Sequence, residues 1–354
     1  MSANLLKCSP RQARKHIIEC IEAKLVPFLQ SSPGMGKSEI THSIASDFGL
    51  FLIDHRLSTS EPTDMTGLPR FRPDGMAEFA PFVDLFPLDG MPLPRHRLED
   101  GTEEEMNGWM LFLDEFNSAD RKVQAAAYKL ILDRMTGQKR LHTNLAMVAA
   151  GNLITDRAIV NPISTAMQSR VVHLEMEINF EEWLEDVALK RGFDSRVIAY
   201  LMQYPEKLMD FRPDHHERTF CCPRTWEFTN RLIKGKQITD DTAILLTGTI
   251  TSGVALEFVQ FTKVYDQLVT VHDIRKSPKT CRIPTDKQLM WATVTNMMEH
   301  VDEHNFKDLA TYAERFDMAF RILFHRSILV RKPGLRTHPD FGSFAANLGK
   351  LSNN

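Results

Sequence analysis

The chain has 354 residues, room for about two domains, and at 43% hydrophobic and 25% charged it can bury a core without covalent staples. Its 43 Lys and Arg against 46 Asp and Glu leave a formal charge of −3, which argues against a surface that is basic throughout but leaves room for a local basic channel. Five scattered cysteines with no CxxC pair exclude a disulfide framework and a zinc knuckle, and they point to a reducing, cytoplasmic setting.

The beginning of the chain lacks the long apolar core of a signal peptide, and no run of 18 apolar residues predicts a membrane span. Residues 10–23 read as a helix, with Pro10 in the first turn and Ala13, Ile17, Ile18 and Ile21 on one side. Residues 25–30 read as a short buried strand, despite Pro27. A glycine-bearing turn follows, then a helix over 37–47 and a strand over 51–57. The segment 58–100 carries seven prolines and reads as irregular working loops. Buried strands are predicted over 109–113, 145–150 and 170–174, with a helix over 120–134. This alternation predicts an α/β unit with a largely parallel sheet.

After Asn179 the pattern turns helical, over 180–191, 194–205, 224–234, 239–263, 285–304 and 308–327. The expected organisation is a nucleotide-binding α/β domain at 1–177, a helical lid at 178–236 and a helical C-terminal extension at 237–354. The tail from Lys332 reads as turn-rich and loosely held.

Three segments carry chemistry. The first is Ser31-Ser32-Pro33-Gly34-Met35-Gly36-Lys37-Ser38, between a predicted strand and a predicted helix, the context a phosphate loop requires. Its glycines let backbone N–H groups face phosphate oxygens at a helix N-terminus. Pro33, Gly34, Met35, Gly36, Lys37, Ser38 and Glu39 are the candidate nucleotide-binding residues. Lys37 would reach the β- and γ-phosphates, and Ser38 would hold magnesium. Ser31 stands where the usual pattern has glycine.

The second is the apolar strand Trp109-Met110-Leu111-Phe112-Leu113, which delivers Asp114 and Glu115 at its end. Asp114 would organise Mg2+ and Glu115 would polarise the attacking water, which points to hydrolysis of ATP. The third is Val148-Ala149-Ala150-Gly151-Asn152. A polar side chain at the end of a buried strand needs partners or work, and Asn152 could position the lytic water. Arg170, before the last predicted strand, and Arg224, after Pro223 at a helix start, are candidates to stabilise phosphoryl charge, with Arg157 competing for a role at a neighbouring site. The pairs His215-His216 and Cys221-Cys222 match no established metal spacing and read as a polar loop. Arg331, Lys332 and Arg336 form a small basic run that reads as solvated surface.

In this order, the phosphate loop, acidic pair, Gly-Asn strand end, arginine and Pro-Arg helix start resemble the AAA+ ATPases. In detail, Leu113-Asp114-Glu115-Phe116-Asn117-Ser118-Ala119, Val123-Gln124-Ala125-Ala126, Cys222-Pro223-Arg224-Thr225-Trp226-Glu227 and Pro62-Thr63-Asp64-Met65-Thr66-Gly67 resemble the MoxR branch and its dynein-related relatives. The resemblance spans about residues 10–235. It implies an AAA+ P-loop core and a hexameric homo-oligomeric ring with ATP and Mg2+ at subunit interfaces. Lys37, Ser38, Asp114, Glu115, Asn152 and Arg224 would act in cis, and Arg170 would act on the neighbour's site. A protein client and a partner with a von Willebrand A domain are also implied.

The sequence departs from the family pattern at Ser31, at Ser118 in place of arginine, at Gln168-Ser169 in place of an acid, and at Leu153 in place of proline. The leading reading is an ATP-hydrolysing ring that remodels a protein or protein complex. Two others stand beside it: a motor or loader acting on nucleic acid, and a nucleotide-binding scaffold with little hydrolysis.

Overall fold

The computed structural model describes residues 6–156, 160–263 and 268–351, and these form two compact units. The first unit holds residues up to Ile178 together with Arg212–Asp214. It contains β1 (Lys7–Cys8), α1 (Pro10–Glu22), β2 (Val26–Gln30), α2 (Lys37–Asp47), β3 (Leu50–Arg56) and α3 (Pro62–Thr66). Next come β4 (Leu68–Phe71), β5 (Ala77–Ala80), β6 (Arg95–Arg97), β7 (Glu103–Glu105), β8 (Gly108–Asp114) and α4 (Arg121–Asp133). It closes with β9 (Met135–Thr136), β10 (Lys139–Arg140), β11 (Leu145–Gly151), α5 (Thr165–Gln168) and β12 (Val171–Met176).

Six strands form one parallel sheet in the order β1-β12-β2-β11-β8-β3. Every residue of β8 is buried, as expected for a strand covered on both faces. Leu111 and Leu113 join a core with Val123, Ala127, Leu130 and Ile131 of α4. On the opposite face Phe112 meets the ring of His42 from α2 edge-on. Pro27 is accommodated because the ladder from β2 to β11 begins one residue later, at Phe28. Register is what assembles the site. Gln30 pairs with Gly151 and Leu113 pairs with Ala149, so the carboxyl ends of β2, β8 and β11 open at one sheet edge.

The segment expected to be irregular over 58–100 is more ordered than that. It holds α3 and two hairpins, β4–β5 and β6–β7. Asp-Gly turns nucleate both: Asp74 accepts from the N–H of Met76 at 3.0 Å, and Asp100 accepts from that of Thr102 at 2.9 Å. The first hairpin leaves Phe71 83% exposed. Strands β1, β9 and β10 are too short to carry a periodic signal.

The second unit, Asn179–Phe211 and residues from His215 on, is helical. It contains α6 (Phe180–Trp183), which runs into a π-helical turn over Leu184–Leu189, then α7 (Ser195–Gln203), α8 (Pro223–Ile233), α9 (Asp240–Leu246) and α10 (Ser252–Thr262). After these come α11 (Val271–Lys276), α12 (Lys287–His300), α13 (Phe306–Ala313), α14 (Met318–Arg331) and α15 (Phe341–Leu351). The expected lid and extension share this unit: α7 packs on α12, and Ser195 donates to Glu299 at 2.9 Å.

The helix expected over 239–263 is two helices. Thr247 and Thr249 turn their hydroxyls back onto the carbonyls of Ile244 and Leu246 and end α9 before α10 starts. The helix expected over 308–327 likewise divides at Asp317, the N-cap of α14. The tail is packed, contrary to expectation. Leu335 and Phe344 are buried, and the Phe344 ring meets Phe306 and Phe324. Among the described residues no helix is long and apolar enough to cross a membrane.

Candidate nucleotide site

The loop between β2 and α2 reverses the chain at two glycines, Gly34 at φ +79° and Gly36 at φ +89°. Gly36 is the N-cap of α2, and a Cβ there would meet nothing within 4 Å, so this backbone faces open space at a helix N-terminus. Ser31 fills the place of the usual glycine without left-handed backbone. It is fully buried, and its hydroxyl donates to the Ser32 carbonyl at 3.1 Å.

The ammonium of Lys37 donates to the Ser31 carbonyl at 3.0 Å, to Ser31 Oγ at 3.2 Å and to Asn152 Oδ1 at 3.2 Å. Lysine and the strand-end asparagine therefore meet. Ser38 Oγ donates to Asp114 Oδ2 at 3.2 Å, and Asp114 is buried. A hydroxyl and a carboxylate side by side are hard oxygen donors, the set that Mg2+ takes at phosphate sites.

Glu115 adopts left-handed backbone, φ +54° and ψ +33°, an arrangement that costs an ordinary residue about 1–2 kcal/mol. Its carboxylate accepts a hydrogen bond from Ser58 Oγ and lies 3.8 Å from Arg56 Nε, both at or just past the end of β3. The acid is thus held between β8 and the residues after its neighbour strand. Glu39 lies exposed in the first turn of α2. Met35 is buried and Pro33 half-buried in the loop.

Arg170 stands outside this cluster. Its guanidinium lies 4.8 Å from the centre of the Tyr128 ring and bonds to Ser169 Oγ at 2.9 Å and to the Ala166 carbonyl. Its Nε is buried without a hydrogen-bond partner among the described residues. Arg224 belongs to the second unit, exposed on the first turn of α8, where Trp226 anchors the helix in the core. Arg157 lies outside the described residues. The His215-His216 and Cys221-Cys222 pairs do not converge: among the described residues no group of three or more His, Cys, Asp or Glu is arranged to hold a metal ion. Burial pushes the Cys221 thiol up to about 11.

Sequence reasoning missed two residues here. Asp156, three residues after Leu153, is buried with Oδ2 unpartnered among the described residues. Burial raises its carboxyl above the usual range, against the opposing influence of the Ser32 hydroxyl and the Lys37 charge. No local signal marks it. Asn117 is the other. It lies inside the quoted acidic-pair segment but carried no assigned role.

No protein-family profile matches the chain. An archaeal Lon protease from Halobacterium salinarum is 29% identical over 146 residues, a stretch covering 37% of this chain and 20% of that protein. The chain therefore spans about a fifth of the length of this curated relative. Among solved structures, a Thermotoga maritima RuvB variant superposes with a TM-score of 0.37 at 16% identity, covering 76% of this chain and 78% of its own. NtrX from Brucella abortus gives 0.35 at 13% identity, covering 99% of this chain and 69% of its own. The fold assignment rests instead on strand order and on what each strand end carries. A parallel sheet whose β2 leads through a phosphate loop into α2, whose β8 ends in Asp114-Glu115 and whose β11 ends in Gly151-Asn152, followed by a helical region, is the AAA+ architecture.

Proposed function

We propose that this chain is a Mg2+-dependent ATPase of the AAA+ class. The observation that carries the reading is the convergence, at one sheet edge, of Lys37 on Asn152 and of Ser38 on Asp114, each at 3.2 Å. Lys37 and the N–H groups of the loop would bind the phosphates, and Ser38 and Asp114 would hold the metal. The bound ion would neutralise charge on the phosphate oxygens. Glu115 would take the proton of the attacking water, and Asn152 would orient that water. Ser58 and Arg56 would set where the Glu115 carboxylate rests.

The finer reading is a MoxR-like hexameric ring, with 178–236 as its lid and Arg224 as a cis sensor there, working on a protein client with a von Willebrand A domain partner. The quoted sequence segments support the branch, and a relative named a protease favours a protein client over nucleic acid. ATP turnover of the full chain, measured with and without Mg2+ and with protein or nucleic acid added, tests the reading. Absence of both nucleotide binding and turnover would overturn it.

Arg170 tests assembly. Its contacts are with Tyr128 on α4 and with the turn around α5, which supports a role at a neighbour's site over one at its own phosphate loop. Arg170→Ala is expected to keep ATP binding and to lose about tenfold in turnover, less than the 10³–10⁵ of dedicated arginine fingers, because conformational steps limit ring cycles. Mixing this variant with Glu115→Gln subunits is expected to restore part of the activity. One subunit then supplies Glu115 and its neighbour supplies Arg170. Two assembled variants that regain nothing at any mixing ratio would remove Arg170 from the trans role.

A further inference from the structure

Strand β11 ends at Gly151, and its ladder to β8 ends earlier, at Ala149. The peptide of Asn152 therefore lies beyond the β11–β8 ladder, yet its side chain must hold one position for Lys37 and a water to meet it. The Asn117 side chain supplies the missing restraint. Its Nδ2 donates to the Asn152 carbonyl at 2.7 Å, and its Oδ1 accepts from the Asn152 N–H at 3.1 Å. Only one orientation of the amide satisfies both groups, so the pair reproduces what an adjacent strand would offer. Asn117 is 2% exposed, so these bonds have no competing water.

Three further features hold Asn117 there. A Cβ on Gly151 would lie 2.1 Å from Asn117 Oδ1, so the glycine reserves the space the amide occupies. The Asn117 carbonyl accepts from the Asn161 N–H at 2.6 Å. Asn161 Nδ2 and Gln124 Nε2 both donate to the Ala119 carbonyl, at 2.8 and 3.2 Å. The short turn that follows Glu115 is thus tied to the strand end that carries Asn152.

We propose that Asn117 is a positioning residue, which clamps the peptide of Asn152 and so fixes the asparagine and Glu115 relative to each other. The proposal rests on the ATPase reading given above. It assigns Asn117 no contact with nucleotide. Its loss therefore acts on turnover through geometry, where a misplacement on the order of 1 Å costs up to about 10²-fold.

The test uses the full chain with Asn117→Asp, which keeps size and the acceptor for the Asn152 N–H but turns a carboxylate oxygen toward the Asn152 carbonyl. Turnover is expected to fall at least about tenfold while ATP affinity stays within about threefold, a split that general loosening of the fold would not give. Adding Asn117→Asp to Asn152→Ala is expected to cost little more, because the side chain that the clamp positions is already gone. Gly151→Ala is expected to lower turnover similarly in the parent and to do less further harm beside Asn117→Ala, where only the contact of the new Cβ with the Phe28 ring at 3.0 Å remains. Exchange of the Asn152 amide hydrogen is expected to quicken at least about tenfold in Asn117→Ala, which removes its acceptor, and to change less in Asn117→Asp, which keeps one.

A folded Asn117→Asp with turnover within about twofold of the parent, or additive losses with Asn152→Ala, would overturn the proposal. If the parent hydrolyses no ATP, the functional reading fails by itself. The exchange measurement then still decides the clamp: unchanged protection of the Asn152 amide in Asn117→Ala would refute it. Should Asn117→Ala not fold, as judged by melting, Asn117→Asp carries the test through its turnover and its coupling to Asn152→Ala.

Discussion

Glu115→Gln is expected to bind ATP within about threefold of the parent and to hydrolyse it about 10²–10⁴-fold more slowly, the range that general bases contribute. The substitution changes little else. Glutamine keeps the length of the side chain and an oxygen to accept from Ser58, and it leaves the left-handed turn in place. Ser38 and Asp114, which meet at 3.2 Å, are untouched, so the candidate metal donors remain. What disappears is the basic oxygen and its pairing with Arg56. Steady-state phosphate release and a calorimetric titration measure the two halves of this expectation. Turnover of the variant within about twofold of the parent would show that Glu115 does not activate the water.

Lys37→Met acts on binding as well as on rate. The ammonium holds Ser31 and Asn152 together, and on the proposed reading it is the cation that would meet phosphate. Methionine keeps most of the apolar stem, so the effect reports the charge rather than lost packing. A hydrogen bond to a charged group is worth about 1.5–3 kcal/mol, which corresponds to ATP binding roughly 10–150-fold weaker. Turnover is expected to vanish with it. Parental affinity in the same titration would remove Lys37 from the phosphate site.

The grouping of candidate residues at the sheet edge was legible in part because each piece is local. Glycines at 34 and 36, a lysine at a helix start and two acids after an apolar strand each announce their geometry in a few residues. That these pieces meet is a matter of register, Gln30 against Gly151 and Leu113 against Ala149, which no short window of sequence encodes. Asn117 was hidden for a related reason. It works on another residue's main chain 35 positions away, and an asparagine two places after an acid reads as an ordinary turn former.

The hairpins after β3 had their Asp-Gly signals in view at 74–75 and 100–101, but the surrounding prolines outweighed them. In the C-terminal helices, length misled. Apolar periodicity continues through the breaks at Thr247–Thr249 and at 314–317, while threonine hydroxyls end α9, and α13 closes at Glu314 before Asp317 begins α14. The tail looked loose because its burial depends on Phe306 and Phe324, which come earlier in the chain.

On the proposed ATPase reading, the left-handed backbone of Glu115 sets folding against work at one codon. A side chain at φ +54° is conformationally unfavourable, and glycine would occupy the same turn without that penalty. The ensemble would therefore fold more readily with the acid deleted. In a library of this chain selected for heat resistance alone, position 115 is expected to drift to glycine or asparagine, and sequencing of the survivors would reveal it. Selection for turnover would hold the glutamate in place, so drift at this single site can serve as a meter of whether a population of variants is being kept for its stability or for its chemistry.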